Sequence, residues 1–127
     1  MLKTNKIFSG FSVSDLGQAK DFYSKVLGLP TTETKEGLQL DVGNGCEVFV
    51  YPKSNHTPAT YTIMNFVVDN IEQSVDELVT HGVIFEQYDD PHMKTDAKGI
   101  SRGNRMAIAW FKDPAGNFLS LIQNKIN

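Results

Sequence analysis

Two stretches of this chain carry the same pattern at an offset of 55 residues. Ile7-Phe8-Ser9-Gly10-Phe11-Ser12-Val13-Ser14-Asp15-Leu16 aligns with Thr62-Ile63-Met64-Asn65-Phe66-Val67-Val68-Asp69-Asn70-Ile71, placing Phe11 on Phe66, Val13 on Val68 and Leu16 on Ile71. Each run reads as a strand that passes through a polar residue into a helical pattern. The pairs Asp15/Gln18 and Asp69/Glu72 have the spacing of a capping box and predict the two helix starts. Helix one is expected to bury Leu16, Ala19, Tyr23 and Val26, with Phe22 flanking them; helix two is expected to bury Ile71, Val75, Leu78 and Val79. Both sets step by three or four residues, the spacing of one buried helix face. Gly28 and Gly82 follow, where helices commonly stop.

Strands come after each helix. The first half offers Thr31–Thr34, Leu38–Val42 and Cys46–Tyr51, separated by Lys35-Glu36-Gly37 and Gly43-Asn44-Gly45. The second half offers Val83–Gln87, Met106–Phe111 and Phe118–Gln123. The polar stretch Tyr88–Arg105 is too long for an ordinary connection and reads as a binding loop or lid. Each half is therefore β-α-β-β-β. Neither half buries its sheet alone, which predicts a single domain over 1–127: module one about 5–52, a linker about 53–60 and module two about 61–125.

Composition excludes several classes. A net charge of −3 from mixed signs, with no basic run, invites neither nucleic acid nor an anionic membrane. No stretch approaches the roughly 18 apolar residues of a membrane span. One cysteine, Cys46, rules out an internal disulfide framework, and no Cys/His zinc pattern is present. A soluble protein of a reducing, cytoplasmic compartment is the expectation.

Three segments carry a family resemblance: FSVSDLGQAKDFYSKVLGL at 11–29, FVVDNIEQSVDELVTHGV at 66–83 and FKDPAGNFLSLIQ at 111–123. They resemble the strand–helix signatures and the terminal turn and strand of the vicinal oxygen chelate superfamily, which includes glyoxalase I, extradiol dioxygenases, fosfomycin-resistance enzymes and bleomycin-resistance proteins. The resemblance implies an α+β fold, two βαβββ modules forming a curved mixed sheet around a cleft, and a homodimer. It does not imply one activity, because the fold hosts isomerases, lyases, oxygenases, transferases and pure binders.

Side chains alternate across a strand, so period two assigns the faces. Phe11, Val13, Val48, Val50, Met64, Phe66, Val68, Leu119 and Leu121 fall on the helix side. Phe8, Phe49, Tyr51, Ile63, Phe118 and Ile122 fall on the opposite side, with Ser12, Glu47, Asn65 and Ser120 as polar handles. An apolar floor with a few polar groups has the character of a small-molecule site.

In metal-dependent members of the family, first- and last-strand positions of each half carry His, Gln or Glu ligands. The resemblance maps those positions to Phe8, Phe49, Ile63 and Ser120. Three of these have no electron pair to donate, and a lone serine hydroxyl is a poor ligand. No metal and no cofactor are therefore expected. Glu47 lies two residues from Phe49 on the same face, and a shifted alignment would restore a carboxylate there. His56 lies in the crossover, where it would overhang the cleft. His92 and Asp96 in the long stretch would offer a base or a metal site. Arg102 and Arg105 would clamp an anion, and Trp110 is either core or a stacking platform. His81 ends a helix and suits its dipole.

Two functions lead, and a metal-free enzyme working through the stretch Tyr88–Arg105 is a third. The first is a small-molecule binder of the bleomycin-resistance kind, taking an apolar or aromatic ligand with no catalytic residues. The second is a metal-dependent lyase, isomerase or dioxygenase built on unusual ligands such as Glu47 and His56. The four substituted positions favour the first, and the sequence shows no nucleophile–base pair that rescues the second.

Overall fold

The computed structural model describes residues 1–125. Residues 126 and 127, the end of the expected domain, lie outside it. Two compact units are present, Met1–Pro58 and the residues from Ala59 onward, divided inside the expected linker. Among the described residues no helix is long and apolar enough to cross a membrane.

The first unit runs β1 (Ser9–Val13), α1 (Leu16–Asp21), a π-helical continuation (Phe22–Val26), β2 (Thr31–Glu33), β3 (Leu38–Gly43) and β4 (Cys46–Pro52). Its sheet has the order β1-β4-β3-β2. β1 lies parallel to β4, whereas β3 is antiparallel to both its neighbours. A parallel pair needs a long crossover, which here carries the helix and the two intervening strands. Asp15, in extended backbone, accepts a 3.0 Å hydrogen bond from the Gln18 amide and starts α1 as the spacing predicts. Val13, Leu38, Leu40, Val48 and Val50 are buried with Ala19 and Tyr23. The Tyr23 ring lies 5.8 Å from that of Phe11 and 5.1 Å from that of Phe22. Burying each of the larger side chains contributes roughly 1.5–3 kcal/mol, so this face holds the unit together.

The second unit runs β5 (Thr62–Val67), α2 (Ile71–Thr80), a short hairpin of β6 (Asp89–Asp90) and β7 (Met93–Lys94), then β8 (Ile100–Arg102), β9 (Met106–Lys112) and β10 (Phe118–Asn124). Its sheet has the order β5-β10-β9-β8, again with the first and last strands parallel. Leu119, Leu121, Ala107, Ala109, Phe111 and Ile100 are buried with Ile71 and Val75. The chain is thus α+β, with two modules of one design, each a four-stranded mixed sheet and a helix.

The second helix departs from expectation at its start. Its cap is Asn70, which accepts a 3.0 Å bond from the Gln73 amide; the expected pair Asp69/Glu72 is one residue out of step. Asn70 is the 55-residue counterpart of Asp15, so the repeat locates the cap where the motif spacing misplaces it. Gln123 of β10 adds a second tie by accepting from the Ile71 amide at 2.9 Å. Val79, expected inside, is 53% exposed, because the apolar stripe ends one turn early.

The larger correction concerns the edge beside β9. The expected strand Val83–Gln87 contributes only a bridge from Phe85 to Phe111 and a 2.8 Å bond from the Glu86 amide to the Trp110 carbonyl. The fourth strand is β8, from within the stretch expected to be a lid, and it pairs with Ala107–Ala109. Two chain segments therefore share one edge. Gly99 permits this: with φ +84° and no side chain it passes where a Cβ would lie 2.9 Å from the Glu86 carbonyl and from Phe85 Cβ.

Candidate binding faces

In the first unit, register brings together the side chains opposite the helix. Gly10 lies beside Phe49 and Ser12 beside Tyr51 on β1 and β4. Gln39 lies beside Phe49, and Asp41 beside Glu47, on β3 and β4. The Phe49 and Tyr51 rings stack at 6.2 Å with 19° between their planes. Phe8, expected inside the first strand, precedes β1 by one residue and is 59% exposed. Glu47 is half-buried and paired with Lys6 at 2.6 Å. Near it a cavity of about 350 Å³ is lined by Pro30, Thr32, Gln39, Asp41, Cys46 and Glu47, among others.

Ser12 and His56 form the contact that sequence reasoning missed. Ser12 Oγ and His56 Nδ1 lie 2.7 Å apart, both half-buried. A turn closed by the His56 amide on the Lys53 carbonyl brings the imidazole back over β1. Forty-four residues separate the pair, and only the expectation that His56 overhangs the sheet hinted at it. The sequence shows no nucleophile–base pair, and this hydroxyl–imidazole contact is one that the fold brings together.

In the second unit, one row across the sheet runs Asn65, Ser120, Trp110. Ser120 is 0% exposed and donates its hydroxyl to Asn65 Oδ1 at 2.5 Å. The next row runs Val67, Ile122, Ile108, Ser101. At the other end Phe118 lies opposite Lys112, whose ammonium sits 5.0 Å from the ring centroid. Ile63, Phe118, Ile122 and Trp110 are all half-buried, and Asn65 is exposed. Tyr88 meets Trp110 edge-on at 5.8 Å. Burial, and then the charge of Glu86, raises the Tyr88 phenol above its ordinary value.

The other candidates are committed elsewhere. Arg102 pairs with Glu72 at 2.8 Å and with Asp96 at 3.3 Å, so it is no open anion clamp. Asp96 Oδ1 accepts from the Lys98 and Ile100 amides at 2.9 and 3.0 Å, shaping the turn into β8. Desolvation raises its pKa, but these two amides and Arg102 outweigh it and hold the carboxyl below its ordinary value. His92 sits in the β6–β7 turn, its amide bonded to Asp90. His81 bonds the Glu77 carbonyl at 2.9 Å, as a helix-end residue does. Arg105 is exposed, and its carbonyl accepts from the Lys125 amide.

At the four positions that the family resemblance maps, the donor set does not fit a metal. Phe8, Phe49 and Ile63 offer no lone pair, and the Ser120 hydroxyl is engaged by Asn65. Among the described residues no three His, Cys, Asp or Glu side chains gather so as to hold a metal ion.

The Glyoxalase/Bleomycin resistance protein/Dioxygenase superfamily model matches residues 8–121, and the chain belongs to that superfamily. No curated protein sequence matches. Solved structures share the fold over nearly the whole chain. TnmS3, an antibiotic binding protein from Streptomyces sp. CB03234, is 21% identical with a TM-score of 0.63, covering 98% of this chain and 100% of its own. The fosfomycin resistance protein FosX from Listeria monocytogenes is 11% identical with a TM-score of 0.70, covering 98% and 97%. A glyoxalase family protein from Enterococcus faecalis is 19% identical with a TM-score of 0.68, covering 96% and 99%.

Proposed function

We propose that this chain binds a small, partly apolar or aromatic organic molecule without a resident metal or cofactor and without catalysing its conversion. The observation that carries the reading is the fate of the four ligand positions: Phe8, Phe49 and Ile63 cannot coordinate, and Ser120 is buried and bonded to Asn65. The fold likeness to TnmS3, described as an antibiotic binding protein, agrees with it. The candidate ligand contacts are Phe8, Ser12, Glu47, Phe49 and Tyr51 on the open sheet face of the first unit and, taken by itself, Ile63, Asn65, Phe118 and Ile122 on that of the second, where Ser120 acts through Asn65. Glu47 and His56, the unusual ligands of the enzyme alternative, are engaged by Lys6 and Ser12. We further read the two units as one domain, and the protein as a cytoplasmic homodimer. The single exposed thiol, Cys46, suits a reducing compartment, and each sheet ends in two edge strands for a second copy to cover.

Elemental analysis of dialysed protein, followed by calorimetric titration with Zn²⁺ and Mn²⁺, tests the reading. The expected result is no stoichiometric metal and no tight uptake. One equivalent held firmly, and lost in Glu47→Gln or His56→Ala, would establish the enzyme instead.

A further inference from the structure

The Ser120–Asn65 pair dictates what Asn65 offers to a ligand. Ser120 is fully buried, and a buried hydroxyl proton must find an acceptor or lose the free energy of its hydration. It finds Asn65 Oδ1 at 2.5 Å on the neighbouring parallel strand. A planar amide whose oxygen is turned toward Ser120 turns its nitrogen away from it. Asn65 is exposed, so its two N–H groups are what the open face presents.

The surroundings define what those donors would meet. Asn65, Ser120 and Trp110 occupy one row of adjacent strands, about two strand spacings or roughly 10 Å from end to end. Tyr88 braces the indole edge-on. Ile122 and Ile108 bound the row on one side, and Phe118 bounds it on the other. The floor thus has an aromatic platform at one end, apolar flanks with the Lys112 ammonium over Phe118, and at the other end a polar point whose amide N–H groups face away from Ser120. Glu86, whose amide bonds the Trp110 carbonyl, stands beyond the indole end of the row and pairs with Lys112 at 3.7 Å, so no carboxylate lies between Asn65 and Trp110.

Resting on the binding reading above, we propose that Asn65, positioned by Ser120, selects planar aromatic ligands that carry a hydrogen-bond acceptor, such as an aryl carbonyl, over isosteric ligands that carry a donor. Asn65 touches the ligand; Ser120 is a positioning residue that sets the direction of the amide.

Three tricyclic probes of one shape test this: 9-fluorenone, with an acceptor; carbazole, with an N–H donor; and fluorene, with neither. Affinities are measured by equilibrium dialysis and by quenching of Trp110, the sole tryptophan. Fluorenone is expected to bind roughly two- to tenfold tighter than fluorene, the worth of one net hydrogen bond, with carbazole weakest. Asn65→Ala should level the three, and Asn65→Asp should reverse the order of fluorenone and carbazole. Ser120→Ala should shrink the fluorenone-to-carbazole ratio by more than it changes fluorene affinity, a readout that loss of packing alone would not produce. Circular dichroism of each variant establishes that it is folded. Equal binding of the three probes to the unaltered protein, or carbazole binding best, overturns the selection proposal and leaves the binding reading intact. Binding of none of them overturns both.

Discussion

Leu119 and Ile63 stand on opposite faces of the same sheet, and truncating them should cost unequal amounts. Leu119 is 0% exposed on the helix side, so Leu119→Ala is expected to lose about 2–5 kcal/mol in urea unfolding. Ile63 is half-buried on the open side, so Ile63→Ala should lose less than half as much. A larger loss at Ile63 would make the open face core rather than ligand floor. Period two made this distinction legible: Val48, Val50, Leu119 and Leu121 are buried, and the residues alternating with them are more open except at Ser120. Ser120 breaks the alternation because its hydroxyl is satisfied within the row, which allows burial on the polar phase of the strand. No sequence pattern announces that partner, which is 55 positions away. Ser12 and His56 were illegible for the same reason, since their meeting depends on a turn beyond the end of β4.

At the scale of elements, three strands escaped sequence reading, the two-residue pair β6 and β7 and the sheet strand β8. β8 is three residues long, Ile-Ser-Arg, with one buried apolar side chain and polar sequence on both sides. The more apolar Val83–Gln87 won on composition, yet Val83 and Phe85 are buried without forming a continuous ladder. What secures β8 is the Asp96 turn before it, and this gives the strand a pH dependence. The carboxyl titrates below its ordinary value of about 3.9 in the folded protein. Its stabilisation is therefore fully present above the unfolded value and is lost as pH falls through the folded one. Amide exchange at Ile100 should accelerate below about pH 4 beyond the intrinsic pH effect, and Asp96→Asn should remove most of that excess. An excess that survives in the variant would assign the effect to another carboxylate. The helices were more readable, because Asp15 and Asn70 cap them at matching places in the repeat.

At the scale of the molecule, the homodimer proposal predicts twice the 14.1 kDa chain mass by light scattering at tens of micromolar protein. A mass of one chain there would remove it. The repeat also makes the two modules unequal in a way that matters for change over time. In the first, one strand, β2, pairs with β3 along the outer edge. In the second, β8 and the Phe85 segment divide that edge, and the chain between them departs as the exposed β6–β7 hairpin. That excursion is bonded to itself and to its stem: Tyr88 and Thr95 are tied, and Gln87 reaches the Ala97 carbonyl. New sequence can accumulate at its tip without shifting the register of any of the four sheet strands. A ten-residue Gly/Ser insertion between Pro91 and His92 should leave the melting temperature nearly unchanged, whereas the same insertion between Lys35 and Glu36 should lower it by separating β2 from β3. Equal losses would deny the asymmetry. The second module thus contains a place where a lineage of such proteins can lengthen, graft and diversify while its scaffold stays fixed.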